Sequence, residues 1–125
     1  MKVWWLGFAL VTSQLVAQGE FSRVDTLLLA PEVYVGGVGW GDFDGDGRRD
    51  LLLATRTGEN FLDRKVQIHL QNATTGRFSS EPDRSLDLPE DLSCLAAGDL
   101  HPDVGDEVLL LGARSTVVWR WRQEG

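Results

Sequence analysis

The chain has 125 residues, with 19 acidic and 12 basic side chains and a formal net charge of −7. A chain of this length is expected to form one small domain. Its acidic balance and the lack of a basic stripe argue against nucleic acid as a partner. A single cysteine, Cys94, excludes an internal disulfide framework, so disulfides do not contribute to the stability of the fold.

The amino terminus, residues 1–19, predicts a secretory signal peptide. Lys2 supplies a positive charge, and the apolar run that follows is too short to span a bilayer comfortably. Ala17 and Gly19 are small residues suited to cleavage before Glu20, and cleavage after Ala17 is the alternative. We therefore expect an exported protein, located in a periplasm, on a cell surface or in the medium. No membrane span is expected in the mature chain.

The stretch from Asp42 to Asp50 predicts a calcium-binding loop. Aspartates occupy its positions 1, 3, 5 and 9, and glycines occupy positions 4 and 6. Calcium takes about six to eight oxygen ligands, so several carboxylates must converge, and glycines allow the backbone to curl between them. Like charges at this density repel each other unless a cation neutralises them. The predicted Ca2+ ligands are the side chains of Asp42, Asp44, Asp46 and Asp50 and the backbone carbonyl of Arg48.

The sequence on both sides of this loop predicts strands. Short apolar runs bounded by turn residues lie at Val38–Gly41 and Asp50–Thr55. An EF-hand loop has helical flanks and a glutamate at position 12, where this chain has Leu53. A dockerin-like calcium module is disfavoured for the same reason. The remaining alternative is an acidic, glycine-rich turn that binds nothing.

Further strands are predicted downstream. Lys65–Gln71 alternates polar and apolar residues, as a half-buried strand does. Asn72–Gly76 is a predicted turn, and a fourth strand is expected near Phe78 or at Leu86–Leu88. No segment of useful length has helical periodicity, so the fold is predicted to be all-β.

The chain contains an internal repeat with an offset of 57 residues, because Gly41–Leu53 aligns without a gap on Gly98–Leu110. In the second copy the acidic residues Asp99, Asp103 and Glu107 match Asp42, Asp46 and Asp50, whereas His101, Pro102 and Val104 replace Asp44, Gly45 and Gly47. Imidazole is a poor ligand for a hard cation, and losing both glycines hinders the curl. The second loop is therefore expected to keep the shape of the turn without calcium, with a weak site at its three acidic residues as the alternative.

Two smaller predictions concern the second unit. Its last strand, Val117–Trp121, is expected to correspond roughly to Val66–Leu70. Cys94 lies among apolar residues, and free cysteine is among the most buried residue types, so a buried, inert thiol is expected.

Four short strands per unit, repeated at about 40–60 residues, are typical of β-propeller blades. On the residues Val38–Ala54, Val66–Asn72 and Gly76–Phe78, the chain resembles the FG-GAP/VCBS repeat family, whose best-known members form the integrin alpha-subunit propeller head. The resemblance covers roughly residues 33–121. The family's calcium loop matches this chain at Asp42, Asp44, Asp46, Arg48 (carbonyl) and Asp50.

The resemblance implies a domain over residues 20–125 that is built from antiparallel, four-stranded blades. The two repeat units would span about 33–88 and 90–125. Closed propellers have about four to eight blades, so the two blades are expected to be part of a larger propeller with further blades in a longer chain. A truncated propeller is the alternative.

The resemblance also implies a function. Such propellers serve adhesion or the recognition of a protein or carbohydrate ligand, and their calcium is structural. The alternative is an accessory, non-catalytic module of an exported polysaccharide-degrading enzyme. Catalysis by these residues is not expected, because the sequence has no nucleophile triad, zinc-protease or phosphate-loop spacing.

Overall fold

The computed structural model describes residues 25–122, and the predicted signal peptide at 1–19 lies outside them. This part of the chain is all-β, as predicted, with two antiparallel sheets of four and three strands. The helix found there is a single 3₁₀ turn at Glu59–Phe61. None of residues 25–122 belongs to a helix with the length and hydropathy needed to cross a membrane.

The first sheet is a meander whose four strands pair in chain order. Its strands are β1 (Tyr34–Gly41), β2 (Asp50–Thr57), β3 (Asp63–His69) and β4 (Arg84–Asp87). The three predicted strands are confirmed, although β1 begins before Val38 and β3 ends before Gln71. The fourth strand overlaps the predicted Leu86–Leu88, whereas Phe78 lies outside the strands.

The second sheet also pairs in chain order. Within the described residues it has three strands, which are β5 (Leu92–Gly98), β6 (Glu107–Gly112) and β7 (Thr116–Arg120). In both sheets each strand therefore pairs with its neighbour in the chain, and no crossover connection is required.

The repeat found in the sequence is also present in the strand register. Gly41 pairs with Asp50 at the loop end of β1 and β2, and Gly98 pairs with Glu107 at the loop end of β5 and β6. Even the irregularity is repeated, because a bulge after Val35 in β1 recurs at the equivalent position of β5. The two hairpins are therefore structural copies of one another.

The third strands of the two sheets, β3 and β7, correspond to each other with an offset of one residue from the predicted alignment. Leu53 pairs with Gln67, and its repeat equivalent Leu110 pairs with Val117. Gln67, not Val66, is thus the counterpart of Val117. The shorter connection before β7 had obscured this offset in the sequence.

The prediction that Cys94 is buried is wrong, since its side chain is exposed. The bulge between Leu92 and Cys94 interrupts the alternation of β5. Cys94 then pairs with Leu111, itself exposed, on the face that the second sheet turns away from the core.

The two sheets pack face to face around one hydrophobic core. Leu95 of β5 lies over β1, where a Cβ added to Gly37 or Gly39 would lie 3.5 Å from its side chain. The small residues of β1 thus allow the first strands of the two sheets to approach closely. The buried core residues are Phe43, Leu52, Val66, Ile68, Leu92, Val108 and Leu110.

The sheets stack head to tail. Leu52 of the first sheet is in the core, whereas its repeat equivalent, Leu109, belongs to the alternate set of positions, which faces away. In the second sheet Val108 and Leu110 face the core instead. Equivalent hairpins therefore contribute opposite faces to the contact, which is a heterologous arrangement.

The connection between the sheets is held by Arg64 of β3. Its guanidinium donates to the carbonyl oxygens of Glu90 at 3.1 Å and of Leu92 at 2.5 Å. The Leu88 amide donates to the Arg64 carbonyl at 2.8 Å. One residue of the first sheet thus sets the path by which the chain enters the second sheet.

The repeat predicts unequal effects of matched glycine substitutions. A Cβ at Gly41 would lie 3.0 Å from both Asp106 Oδ2 and the Phe43 ring, whereas a Cβ at Gly98 meets no described atom within 4 Å. We expect Gly41→Ala to lower the free energy of unfolding by about 1–2 kcal/mol because of overpacking. Gly98→Ala should cost less than about 0.5 kcal/mol. Urea unfolding of both variants measures the difference, and equal losses would contradict the packing at Gly41.

Candidate metal centre

Three of the four predicted aspartates converge in the loop between β1 and β2. Asp42, Asp44 and Asp50 each place a carboxylate oxygen within 4.8 Å of the others. Asp46 is not part of this group, and its carboxylate pairs with the guanidinium of Arg48. The strand–loop–strand context predicted from the sequence is present.

The curl of the loop comes from Asp42 and the two glycines. The carboxylate of Asp42 accepts hydrogen bonds from the Asp46 amide at 2.9 Å and from the Gly47 amide at 2.8 Å. Gly45 and Gly47 have φ angles of 76° and 85°, which a residue with a Cβ rarely adopts. The glycine spacing in the sequence therefore predicted the backbone correctly.

Asp50 anchors the centre in the sheet. Its side chain is fully buried at the start of β2. One carboxylate oxygen accepts from the Phe43 amide at 2.9 Å, and the other accepts from the Gln71 amide at 3.0 Å. Each of these oxygens keeps a further lone pair, so the carboxylate can hold the loop and still ligate a cation.

A contact that the sequence reasoning missed supports the loop from the second unit. The Asp42 amide donates to Asp106 Oδ2 at 2.8 Å, and the Asp106 amide donates to the Asp42 carbonyl at 2.6 Å. The two residues are 64 positions apart, so no local pattern joins them. Gly105, with a φ of 99°, is the local signal that could have indicated a tight approach there.

The electrostatics of the loop favour a bound cation. Burial raises the pKa of Asp50, and the charges of Asp46 and Asp42 raise it further, against the two backbone hydrogen bonds that lower it. Burial also raises the pKa of Asp44, with the Asp50, Asp46 and Asp42 charges adding to the effect. A cation between these carboxylates would relieve the repulsion, and an all-oxygen donor set suits a hard ion such as Ca2+.

The second loop has the same buried anchor but a different charge balance. Glu107, which is 1% exposed, accepts from the Leu100 amide at 2.8 Å, the bond equivalent to that between Asp50 and Phe43. Burial alone would raise the pKa of Glu107, but the Leu100 amide and the Arg120 guanidinium together hold it below its usual value. In the described chain, the carboxylates grouped closely enough for a metal are those of the first loop.

Comparisons of the chain with protein-family models, with curated proteins and with solved structures returned no match. The similarity to FG-GAP/VCBS repeats stays a prediction from the sequence. The function is therefore inferred from the geometry of the loop and of the sheets that carry it.

The raised pKa of Asp44 predicts an effect of acid on the metal-free protein. Because the pKa of Asp44 is higher in the folded chain than its ordinary value of 3.8, folding favours the protonated carboxyl group. The contribution of Asp44 to stability is therefore fully present below pH 3.8 and is lost as the pH rises through the higher pKa of the folded state. In chelator at neutral pH, Asp44→Asn should therefore be slightly more stable than the parent, by no more than ~0.5 kcal/mol because solvent screens this carboxyl. The gain should vanish as the pH falls.

Urea unfolding from pH ~7 to pH ~4 follows this difference. Asp99→Asn, which removes a charge from an exposed position of the second loop, is the control for the loss of a surface carboxylate. A loss of stability for Asp44→Asn at neutral pH in chelator would contradict the repulsion.

Proposed function

We propose that the chain is an exported, calcium-stabilised module of β-propeller repeats that serves adhesion or the recognition of a protein or carbohydrate ligand. The calcium is structural: it fixes the turn between the first two strands of a blade. The observation that carries this proposal is the convergence of Asp42, Asp44 and Asp50 on a loop whose backbone is already curled.

The arrangement supports calcium as the ion. Three carboxylates alone do not complete a shell of about six to eight oxygens. The Arg48 carbonyl, the Asp46 carboxylate and water would complete it, and Asp46 would then exchange its Arg48 partner for the cation. Calcium tolerates irregular geometry, whereas magnesium demands a near-octahedral shell, so a loop of mixed ligands favours calcium.

The packing of the sheets supports the propeller. The core contact joins one face of the first hairpin to the opposite face of its copy, so the same contact can be repeated by a further unit. The outward face of the second sheet exposes Leu111 and Val118, with 40% and 43% of their surface accessible. These positions are free to contact a following blade. The ligand would bind a surface formed by several blades.

Thermal unfolding of the full chain in millimolar calcium and in chelator tests the proposal. Extracellular modules bind calcium with a Kd of about 10⁻⁴–10⁻³ M. At ~10 mM calcium, which is 100-fold above a Kd of ~10⁻⁴ M, binding stabilises the folded state by about 2.7 kcal/mol, which corresponds to about 10 °C or more in Tm for a domain of this size. Magnesium at the same concentration should raise Tm much less.

The two variants compared are Asp44→Asn, which removes one carboxylate of the centre, and Asp99→Asn, which removes a carboxylate of the second loop at the position equivalent to Asp42. We expect the first to lose most of the calcium-induced rise in Tm and the second to retain it. If the parent melts cooperatively and its Tm does not depend on calcium, calcium does not stabilise the fold and that part of the proposal is wrong. The repeat architecture does not depend on this result.

A further inference from the structure

The second loop buries a carboxylate that needs a positive partner. Glu107 occupies the position of Asp50 and makes the same bond to a loop amide, at 2.8 Å from Leu100 N to Oε2. Its side chain is almost fully buried, and a buried charge without a partner is strongly destabilising. The other oxygen of Glu107, Oε1, is therefore where a positive partner is required.

Arg120, the last residue of β7, provides that compensation. Its Nε donates to Glu107 Oε1 at 3.0 Å, and its Nη1 pairs with the carboxylate of Asp103. Asp103 and Glu107 are the repeat equivalents of Asp46 and Asp50, so one guanidinium contacts two of the three carboxylates that this loop shares with the first. A planar guanidinium with several donors is suited to bridging two carboxylates.

The first sheet has no side chain of this kind at the same place. Arg120 pairs with Glu107 in the register of β6 and β7, and continuing the register of β2 and β3 places Leu70 opposite Asp50. The arginines near the first loop pair elsewhere, Arg48 with Asp46 and Arg49 with Asp106 at 3.9 Å. Among the described residues, Asp42, Asp44 and Asp50 thus have no arginine or lysine in an ion pair with them.

We propose that the Arg120 guanidinium is the resident cation of the second loop and takes there the place that the first loop leaves to calcium. The comparison with calcium rests on the proposed function, whereas the pairing with Glu107 does not. The consequence is that, of these two loops, the first alone binds calcium. The conformation of the second loop is then independent of calcium, whereas that of the first loop depends on the calcium concentration.

A double-mutant cycle in chelator tests the charge pairing without reference to metal. Arg120→Met keeps much of the apolar volume and leaves Glu107 buried and unpaired, so we expect the unfolding equilibrium constant to rise about 100-fold or more. In a Glu107→Gln background the same change should raise it less than about 10-fold, because no buried charge remains. Arg114→Met, at an exposed position in the turn between β6 and β7, is the control for loss of a surface arginine.

The outcomes separate this proposal from the calcium proposal. The proposal would be overturned if Arg120→Met had the same effect in the parent and in the Glu107→Gln background. It would also be overturned if Arg120→Met alone and the double variant with Glu107→Gln were both unfolded. A folded double variant beside an unfolded single variant supports it. Titration of the parent with calcium should give one equivalent per chain, and a second equivalent that disappears in Asp103→Asn would overturn it. If no calcium binds at all, the proposed function fails, and the cycle still decides the role of Arg120.

Discussion

A buried carboxylate at the start of the second strand of each hairpin is the interaction on which the rest of the structure depends. Asp50 and Glu107 each accept a hydrogen bond from a backbone amide seven residues earlier, at 2.9 Å and 2.8 Å. This bond closes the loop onto the sheet and aligns the two strands that flank it. It also places a negative charge where water does not reach, so each loop has to supply a positive charge or tolerate the repulsion.

The two units resolve this requirement in different ways. In the second unit a guanidinium from the third strand contacts the buried carboxylate directly. In the first unit three aspartates face one another, and burial and mutual repulsion raise the pKa of two of them. The proposed calcium ion would relieve this repulsion. The hydrogen bond between Asp42 and Asp106 joins the two loops. The second unit, which has Arg120 as its own cation, thereby supports the loop of the first unit.

The sequence predicted the all-β fold, three of the strands in the first sheet, the repeat and the curl of the first loop. These features succeed because each depends on local chemistry: alternation, glycine at positive φ, and aspartate spacing. The contacts of Asp106 and Arg120 could not be predicted in this way, since they join residues 64 and 13 positions apart across a fold that had first to be known. The exposure of Cys94 was predicted wrongly because a single bulged residue reverses the face on which the following side chain lies.

Head-to-tail stacking of equivalent hairpins gives the architecture a polarity. The contact between Asp42 and Asp106 joins the loops of successive units, so both loops lie at the same edge of the stack. A unit inserted or deleted between two others would find on each side the kind of surface that it already fits. The length of such an array can therefore change by whole hairpin units during evolution without a new interface having to arise, and each added unit would extend the same rim of loops.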